Sequence, residues 1–127
     1  MNIQEIKTET LLTRIYPDRE MLGEEAARLA AVKVNKLLNQ KEEINILFAA
    51  APSQNEFLAA LQNQDIPWKR INALHMDEYI GLAQDAPQRF GNFLKERIFD
   101  IVLSNRFIIC IEKTKYPNPF ANDMKKF

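Results

Sequence analysis

Residues 74–82 read Leu74-His75-Met76-Asp77-Glu78-Tyr79-Ile80-Gly81-Leu82, and this stretch decides the fold. It places two adjacent carboxylates, Asp77 and Glu78, directly after a strand-like apolar segment and directly before a glycine turn. In an open α/β sheet, ligands bind just outside the carboxyl ends of the strands. The stretch therefore predicts the functional edge of a parallel sheet, with Asp77 as the first candidate residue.

The segments on either side alternate between strand-like and helix-like patterns. Strands are predicted near 10–16, 44–49 and 70–75, with Phe107 to Ile111 as one further short strand. Helices are predicted near 18–40, 53–63 and 88–102, where apolar residues recur every three or four positions. Asp18 is expected to cap the first of them. Strands separated by helices imply crossover connections, so the predicted fold is α/β, a three-layer open parallel sheet of Rossmann-like type with helices on both faces.

Composition excludes several classes of partner. The 127 residues include 17 Lys and Arg against 17 Asp and Glu, so neither nucleic acid nor a membrane surface is expected as a partner. The longest apolar run, 46–52, is too short to span a bilayer, and the polar N-terminus shows no signal peptide. One cysteine, Cys110, cannot form an internal disulfide, which fits a reducing compartment. We expect a cytoplasmic protein.

The turn after the second predicted strand is a second candidate site. Ser53 and Glu56 have the spacing of a capping box at the start of a helix. Exposed amides at a helix start bind phosphate, and the small residues before Ser53 allow a ligand to approach the backbone. Many helices with a capping box bind no ligand, so a purely structural cap remains the alternative.

Asp77 also has two interpretations. Acids in a turn are usually solvated or cap the next helix, whereas an acid at a strand end can serve as a general base. His75 is interpreted as a packing or hydrogen-bonding residue, because a lone histidine and the distant Cys110 make no metal set. Neither a metal nor a cofactor is expected. Arg89 is expected to lie exposed at a helix start, with contact to an anion as the alternative.

The run from Met76 to Leu82 resembles the signature of the glucosamine-6-phosphate deaminase family, whose relatives include the 6-phosphogluconolactonases. The resemblance covers about 15–102. It implies ring opening, isomerisation and deamination of an amino sugar phosphate to fructose 6-phosphate and ammonia. It assigns the transfer of the proton between C2 and C1 to Asp77, and it implies a sugar phosphate as the small-molecule partner. The Tyr-x-Gly-Leu continuation favours the deaminases over the lactonases.

The same resemblance places the family's phosphate loop at the turn before the second helix. The family usually has a Gly pair followed by Thr and Pro there, and Ser53 takes the place of the Thr. Ala51 and Pro52 replace the Gly pair. Proline has no N–H to donate, and neither residue has the freedom of glycine. Ala51 and Ser53 are therefore the predicted substrate-binding residues of an altered loop.

Members of the family are roughly twice as long as this chain. Their second half supplies a Gly-rich segment, an Asp/His/Glu set that opens the ring, and basic residues for the phosphate, none of which is present here. We expect 1–103 to be the amino-terminal portion of such a domain and 104–127 to be a divergent tail. The fold would lack its carboxy-terminal half, and the exposed sheet edge would favour homo-oligomers.

Three functions remain open at this point. The first is a glucosamine-6-phosphate deaminase-like hydrolase impaired by truncation. The second is a non-catalytic sugar-phosphate binder or an inactive gene fragment, and the third is a 6-phosphogluconolactonase-like hydrolase.

Overall fold

The structure, a computed structural model, describes residues 3–103 and 107–109. Its strands are β1 (Gln4–Thr8), β2 (Leu11–Ile15), β3 (Ile44–Phe48), β4 (Ile71–His75) and β5 (Phe107–Ile108). Its helices are α1 (Arg19–Leu38), α2 (Asn55–Gln62), α3 (Phe90–Leu94) and α4 (Asp100–Val102), with a π-helical segment at Lys95–Phe99 and 3₁₀ turns at Pro52–Gln54 and Trp68–Arg70. No helix in this part of the chain is long and apolar enough to cross a membrane.

In the part of the chain that the structure describes, the main sheet contains three parallel strands in the order β3-β4-β5. Ile44 lies opposite Ile71 and Phe48 opposite His75, while Ala73 lies opposite Phe107. Helices separate these strands along the chain, as the alternating patterns predicted. The predicted α/β class with a partial open parallel sheet is therefore confirmed. Of the strand predicted at 107–111, Phe107–Ile108 is confirmed, Ile109 is not part of a strand, and 110–111 lie outside the described residues.

The first predicted strand does not join this sheet. β2 pairs antiparallel with β1 in a separate two-stranded sheet, so the predicted parallel arrangement of 10–16 is wrong. Glu9 adopts a left-handed backbone conformation (φ 53°), which closes the two-residue turn between Thr8 and Leu11. Because so short a turn returns the chain directly onto its neighbour, antiparallel pairing forms locally without a crossover.

Within the described residues, the helices pack on one face of the three-stranded sheet, and the predicted layer of helices on the other face is not seen there. β3 contributes Ile44 and Phe48 to the core, and β4 contributes Ile71 and Ala73. Phe99 is fully buried there, and its ring centroid lies 5.3 Å from that of Phe48 and 5.2 Å from that of Phe107. Successive strand residues point to opposite faces. The other face accordingly carries Leu47 and Ile108, which are 62% and 63% exposed.

α1 begins and ends close to the predicted bounds. The Asp18 carboxylate accepts a hydrogen bond from the backbone N–H of Met21 at 2.8 Å, which confirms the predicted cap. α1 then crosses α2 at Gly23. A Cβ atom at Gly23 would lie 2.8 Å from both the carbonyl carbon and the Cβ of Glu56. The two helices can approach this closely only because Gly23 has no side chain.

Gly23→Ala is therefore expected to destabilise the protein. Alanine improves helix propensity by about 1 kcal/mol, but overpacking against a backbone that cannot yield costs about 1–3 kcal/mol. We expect a net loss of about 1 kcal/mol in the free energy of unfolding, measured by urea denaturation. An increase in stability, as an uncrowded helix glycine would give, would show that α1 and α2 are not in contact at this point.

Candidate functional site

Two turns leave the sheet at the same edge, after the parallel strands β3 and β4. The backbone N–H of Met76 donates to the carbonyl of Phe48 at 3.0 Å, so β3 and β4 remain hydrogen-bonded to each other up to the point where both strands end. The turn after β3 carries Ala51 and Ser53, and the turn after β4 carries Asp77. All three predicted site residues therefore lie at the carboxyl edge of the sheet, where this class of fold binds ligands.

Asp77 is exposed to solvent, and a buried histidine holds its backbone. The Nδ1 atom of His75 lies 2.8 Å from the carbonyl oxygen of Asp77, and His75 is only 5% exposed. Because a carbonyl oxygen can only accept, Nδ1 carries the proton of this hydrogen bond. His75 is therefore a buried hydrogen-bonding residue, as its interpretation from the sequence stated.

Glu78 is the buried acid of the motif. Its carboxylate accepts hydrogen bonds from the backbone N–H groups of Tyr79 (2.9 Å), Phe90 (2.9 Å) and Gly91 (3.0 Å). The Nε atom of Arg89 lies 3.5 Å away, and the side chains of Arg89 and Glu78 are 4% and 8% exposed. Burial alone would raise the pKa of Glu78, but the three backbone donors and the Arg89 charge outweigh it and hold the pKa below its usual value.

The expectation that Arg89 is exposed is wrong, since it is 3% exposed. The reason is tertiary: the turn after β4 places the Glu78 carboxylate at the start of α3, where two N–H groups and a cation converge on it. Glu78 thereby ties the motif to the helical segment 90–102. The sequence contained one signal for this arrangement, namely the adjacent acids Asp77 and Glu78 followed in the same connection by the basic residue Arg89.

Gly91 allows this close approach. A Cβ atom at Gly91 would lie 3.3 Å from both Glu78 Oε2 and His75 Nε2, and 2.6 Å from the Cγ2 atom of Ile109. The two buried polar side chains of the motif and the segment after β5 thus meet at one point on α3. This contact was not predicted from the sequence.

The predicted capping box at Ser53 does not form. Ser53 is exposed, and neither Ala51 nor Gln54, the residues that precede the 3₁₀ turn and α2, makes a side-chain cap. The carboxylate of Glu56 instead pairs with the Nη2 atom of Arg19 at 2.8 Å, and this hydrogen bond lowers the pKa of Glu56. Arg19 also donates to the carbonyl oxygen of Pro52 at 3.2 Å. A cation from α1 therefore fixes this turn in place of the local cap.

Metal ligation has no visible basis within residues 3–103 and 107–109. No three His, Cys, Asp or Glu side chains come together there as a metal site would require.

No family model matches the chain. The glucosamine-6-phosphate deaminase of Alkaliphilus metalliredigens is 24% identical over 115 residues, covering 87% of this chain and 45% of that protein. That of Clostridium beijerinckii is 25% identical over 112 residues, covering 87% and 43%.

The similar solved structures include both enzyme types. A putative 6-phosphogluconolactonase from Neisseria gonorrhoeae has a TM-score of 0.68 at 20% identity, covering 79% of this chain and 43% of that one. A monomeric glucosamine-6-phosphate deaminase has a TM-score of 0.64 at 21% identity, covering 78% and 42%.

The fold and the strand-end turns thus define a partial α/β sheet of the class that these deaminases and lactonases share. Within that class, the curated sequence relatives named above are glucosamine-6-phosphate deaminases, so the resemblance predicted from residues 76–82 is confirmed. The chain spans less than half the length of these relatives.

Proposed function

We propose that this chain is a glucosamine-6-phosphate deaminase-like unit that binds an amino sugar phosphate at the carboxyl edge of its sheet and turns it over poorly. Asp77 would act as the base that moves a proton between C2 and C1, and Ala51 and Ser53 would contact the phosphate. The observation that carries the proposal is the placement of Asp77 at the end of β4, beside the turn after β3, with His75 and Glu78 fixing the backbone on both sides of it.

Three features support weak turnover. A single oriented base contributes about 10²–10⁴-fold, whereas whole enzymes reach about 10⁶-fold or more. Asp77 is exposed, so nothing in the described part of the chain shields it from water. The chain has one histidine, His75, and its Nδ1 proton is already committed to a backbone carbonyl, so it is poorly suited to opening a sugar ring.

The phosphate turn supports the same conclusion. Pro52 lacks an N–H group, Ser53 is exposed, and Arg19 is engaged with Glu56 and the Pro52 carbonyl. Phosphate capture at this turn would therefore be weak. This favours the non-catalytic sugar-phosphate binder as the second candidate.

The test is ammonia release from glucosamine 6-phosphate by the purified protein. We expect slow release that Asp77→Asn removes, while Asp85→Asn, which changes another exposed acid in the same connection, leaves it unchanged. Binding of the sugar phosphate without any release would favour the non-catalytic binder. Turnover at the rate of a whole enzyme would contradict the proposed impairment, and the absence of binding at millimolar concentration would contradict the proposed site.

A further inference from the structure

β1 and β2 form a hairpin whose residues remain in contact with solvent. All five residues of each strand are exposed. Within residues 3–103 and 107–109, neither strand pairs with any strand except the other. A two-stranded hairpin by itself is at best marginally stable in water. The hairpin would therefore gain stability from a further strand along one of its two open edges.

One face of the hairpin is apolar. Residues that lie directly opposite each other share a face, and so do alternate residues along a strand. The register therefore places Ile6, Leu11 and Ile15 on the same face, where they are 51%, 64% and 46% exposed. A partner that extends this face would remove apolar surface from water, which favours association.

The backbone of β1 has free hydrogen-bonding groups along its open edge. A two-residue turn closes on a hydrogen-bonded pair of residues, which is Thr8 and Leu11 in this hairpin. The peptide groups of Thr8 thus point toward β2, and peptide groups alternate in direction along a strand. Those of Glu5 and Lys7 therefore point to the open edge, where an added strand would bond to them.

The charges on β1 indicate which strand fits this edge. β1 reads Gln4-Glu5-Ile6-Lys7-Thr8, so an acid and a base lie at equal distances on either side of Ile6. If a second copy of β1 pairs antiparallel about a two-fold axis at Ile6, Glu5 of each copy faces Lys7 of the other. Opposite charges that face each other across strands stabilise the pairing.

The same charges disfavour the neighbouring registers. An axis at Glu5 or at Lys7 would also bring the outward-pointing peptide groups of the two copies together, but it would place two like charges face to face, which is unfavourable. Charged side chains commonly protect an edge strand from pairing. On β1 they oppose the shifted registers and favour the one that is centred on Ile6.

The two charged side chains are accessible for this contact. Glu5 pairs with Arg14 on β2 at 2.8 Å, yet its side chain is 55% exposed. Lys7 is exposed and forms no ion pair within the described part of the chain. In the paired arrangement, Glu5 would lie between Arg14 of its own hairpin and Lys7 of the second copy.

The other open edges lack this complementarity. β2 carries a single charge, Arg14, which would face Leu12 of a second copy in a pairing centred on Thr13. β3, at the open side of the main sheet, carries no charge at all. Among these three strands, only β1 therefore combines a free edge with charges that select one self-pairing register.

We propose that the protein forms a two-fold symmetric dimer through β1, in which the hairpins of two copies join into one four-stranded antiparallel sheet. The strand order is β2-β1-β1-β2, and the two Ile6 side chains meet at the axis in a non-hydrogen-bonded pair, the type in which side chains lie closest. A two-fold axis is the commonest symmetry of soluble oligomers. The dimer does not depend on the proposed deaminase activity, because it uses no residue of the predicted site.

The test is sedimentation velocity of the full chain over a range of concentrations, together with hydrogen exchange. We expect a dimer at high concentration, in which exchange at the Glu5 and Lys7 amides is slower by about tenfold or more than in the monomer. Lys7→Glu is expected to weaken the dimer by about tenfold or more, because it creates two like-charge pairs. The matched control is Lys41→Glu, which makes the same change in net charge at an exposed residue outside the hairpin and is expected to dimerise like the wild type.

Mixing two variants tests the register directly. Glu5→Lys alone is also expected to weaken the dimer by about tenfold or more. An equimolar mixture of Glu5→Lys and Lys7→Glu is expected to recover dimerisation, because each substituted residue then faces an opposite charge on the other chain. A mixture of Glu5→Lys with Lys41→Glu is expected to associate more weakly, since one like-charge pair remains.

Three results would overturn the proposal. The first is a chain that stays monomeric up to about 1 mM. The second is a dimer in which exchange at the Glu5 and Lys7 amides is unchanged, including one that protects the amides of β3 instead. The third is a mixture of Glu5→Lys and Lys7→Glu that associates no better than either variant alone.

Discussion

Glu78→Gln is expected to lower the free energy of unfolding by about 3 kcal/mol at neutral pH, since removing one partner of a buried ion pair costs about 3–5 kcal/mol. The glutamine retains the shape of the side chain and one oxygen that can accept. It removes the negative charge beside Arg89 and weakens two hydrogen bonds at the start of α3. Urea denaturation followed by circular dichroism measures the change.

The same residue predicts a pH dependence. The pKa of Glu78 is lowered in the folded state from 4.5, so the folded protein holds this proton less tightly than the unfolded chain does. Its stabilising contribution is therefore fully present above about pH 4.5 and is lost as the pH falls through the lower folded-state pKa. We expect this part of the decrease in the free energy of unfolding at acid pH to be absent in Glu78→Gln.

Glu56→Gln is the matched control. Glu56, in the first turn of α2, also pairs with an arginine, its Oε2 atom lying 2.8 Å from the Nη2 atom of Arg19. The Arg19 side chain of this pair, however, is 64% exposed. Exposed ion pairs contribute little to stability, because water and salt screen them. A loss in Glu56→Gln as large as that in Glu78→Gln would show that burial does not set the strength of the Glu78 interaction.

Phe99→Ala is expected to lower the free energy of unfolding by about 4 kcal/mol, the range for truncating a buried phenylalanine being about 3–5 kcal/mol. Phe99 is fully buried, and its ring lies between those of Phe48 on β3 and Phe107 on β5. The substitution leaves a cavity where the helical segment contacts two of the three strands. Because domains of this size are stable by only about 5–15 kcal/mol, the variant is expected to be partly unfolded at moderate temperature.

Phe93→Ala provides the comparison on the same helical segment. Phe93 is partly buried, and its ring lies 3.8 Å from the guanidinium carbon of Arg97. Its removal leaves a site that water can enter, so the loss is expected to be clearly smaller than for Phe99→Ala. Equal losses, read from the same urea titrations, would mean that Phe99 does not occupy the centre of the core.

The candidate site could be predicted in position but not in detail. Its location followed from local information, because an acid directly after an apolar strand marks the carboxyl edge of a parallel sheet whatever the rest of the chain does. Which acid is buried did not follow. Asp77 and Glu78 are adjacent and chemically alike, and the choice depends on where the start of α3 and Arg89 lie, which residues 74–82 do not encode.

Contacts between distant segments also decided the conformation of the turn after β3. Ser53 and Glu56 have the spacing of a cap, yet Arg19, 37 residues before Glu56, binds the Glu56 carboxylate once α1 packs on α2. The Ser53–Glu56 cap therefore does not form, because folding brings the Arg19 guanidinium within hydrogen-bonding distance of the Glu56 carboxylate.

The sequence by itself determined the elements whose causes are local. Asp18 caps α1, the apolar runs become β3 and β4, and the motif follows β4, because capping, periodicity and strand length act within a few residues. Only the tertiary structure decided that Arg89 is buried against Glu78 and that Phe99 contacts both β3 and β5. These contacts join residues from separate segments, and their burial depends on how the helices and the sheet pack together, so no single segment of the sequence predicts them.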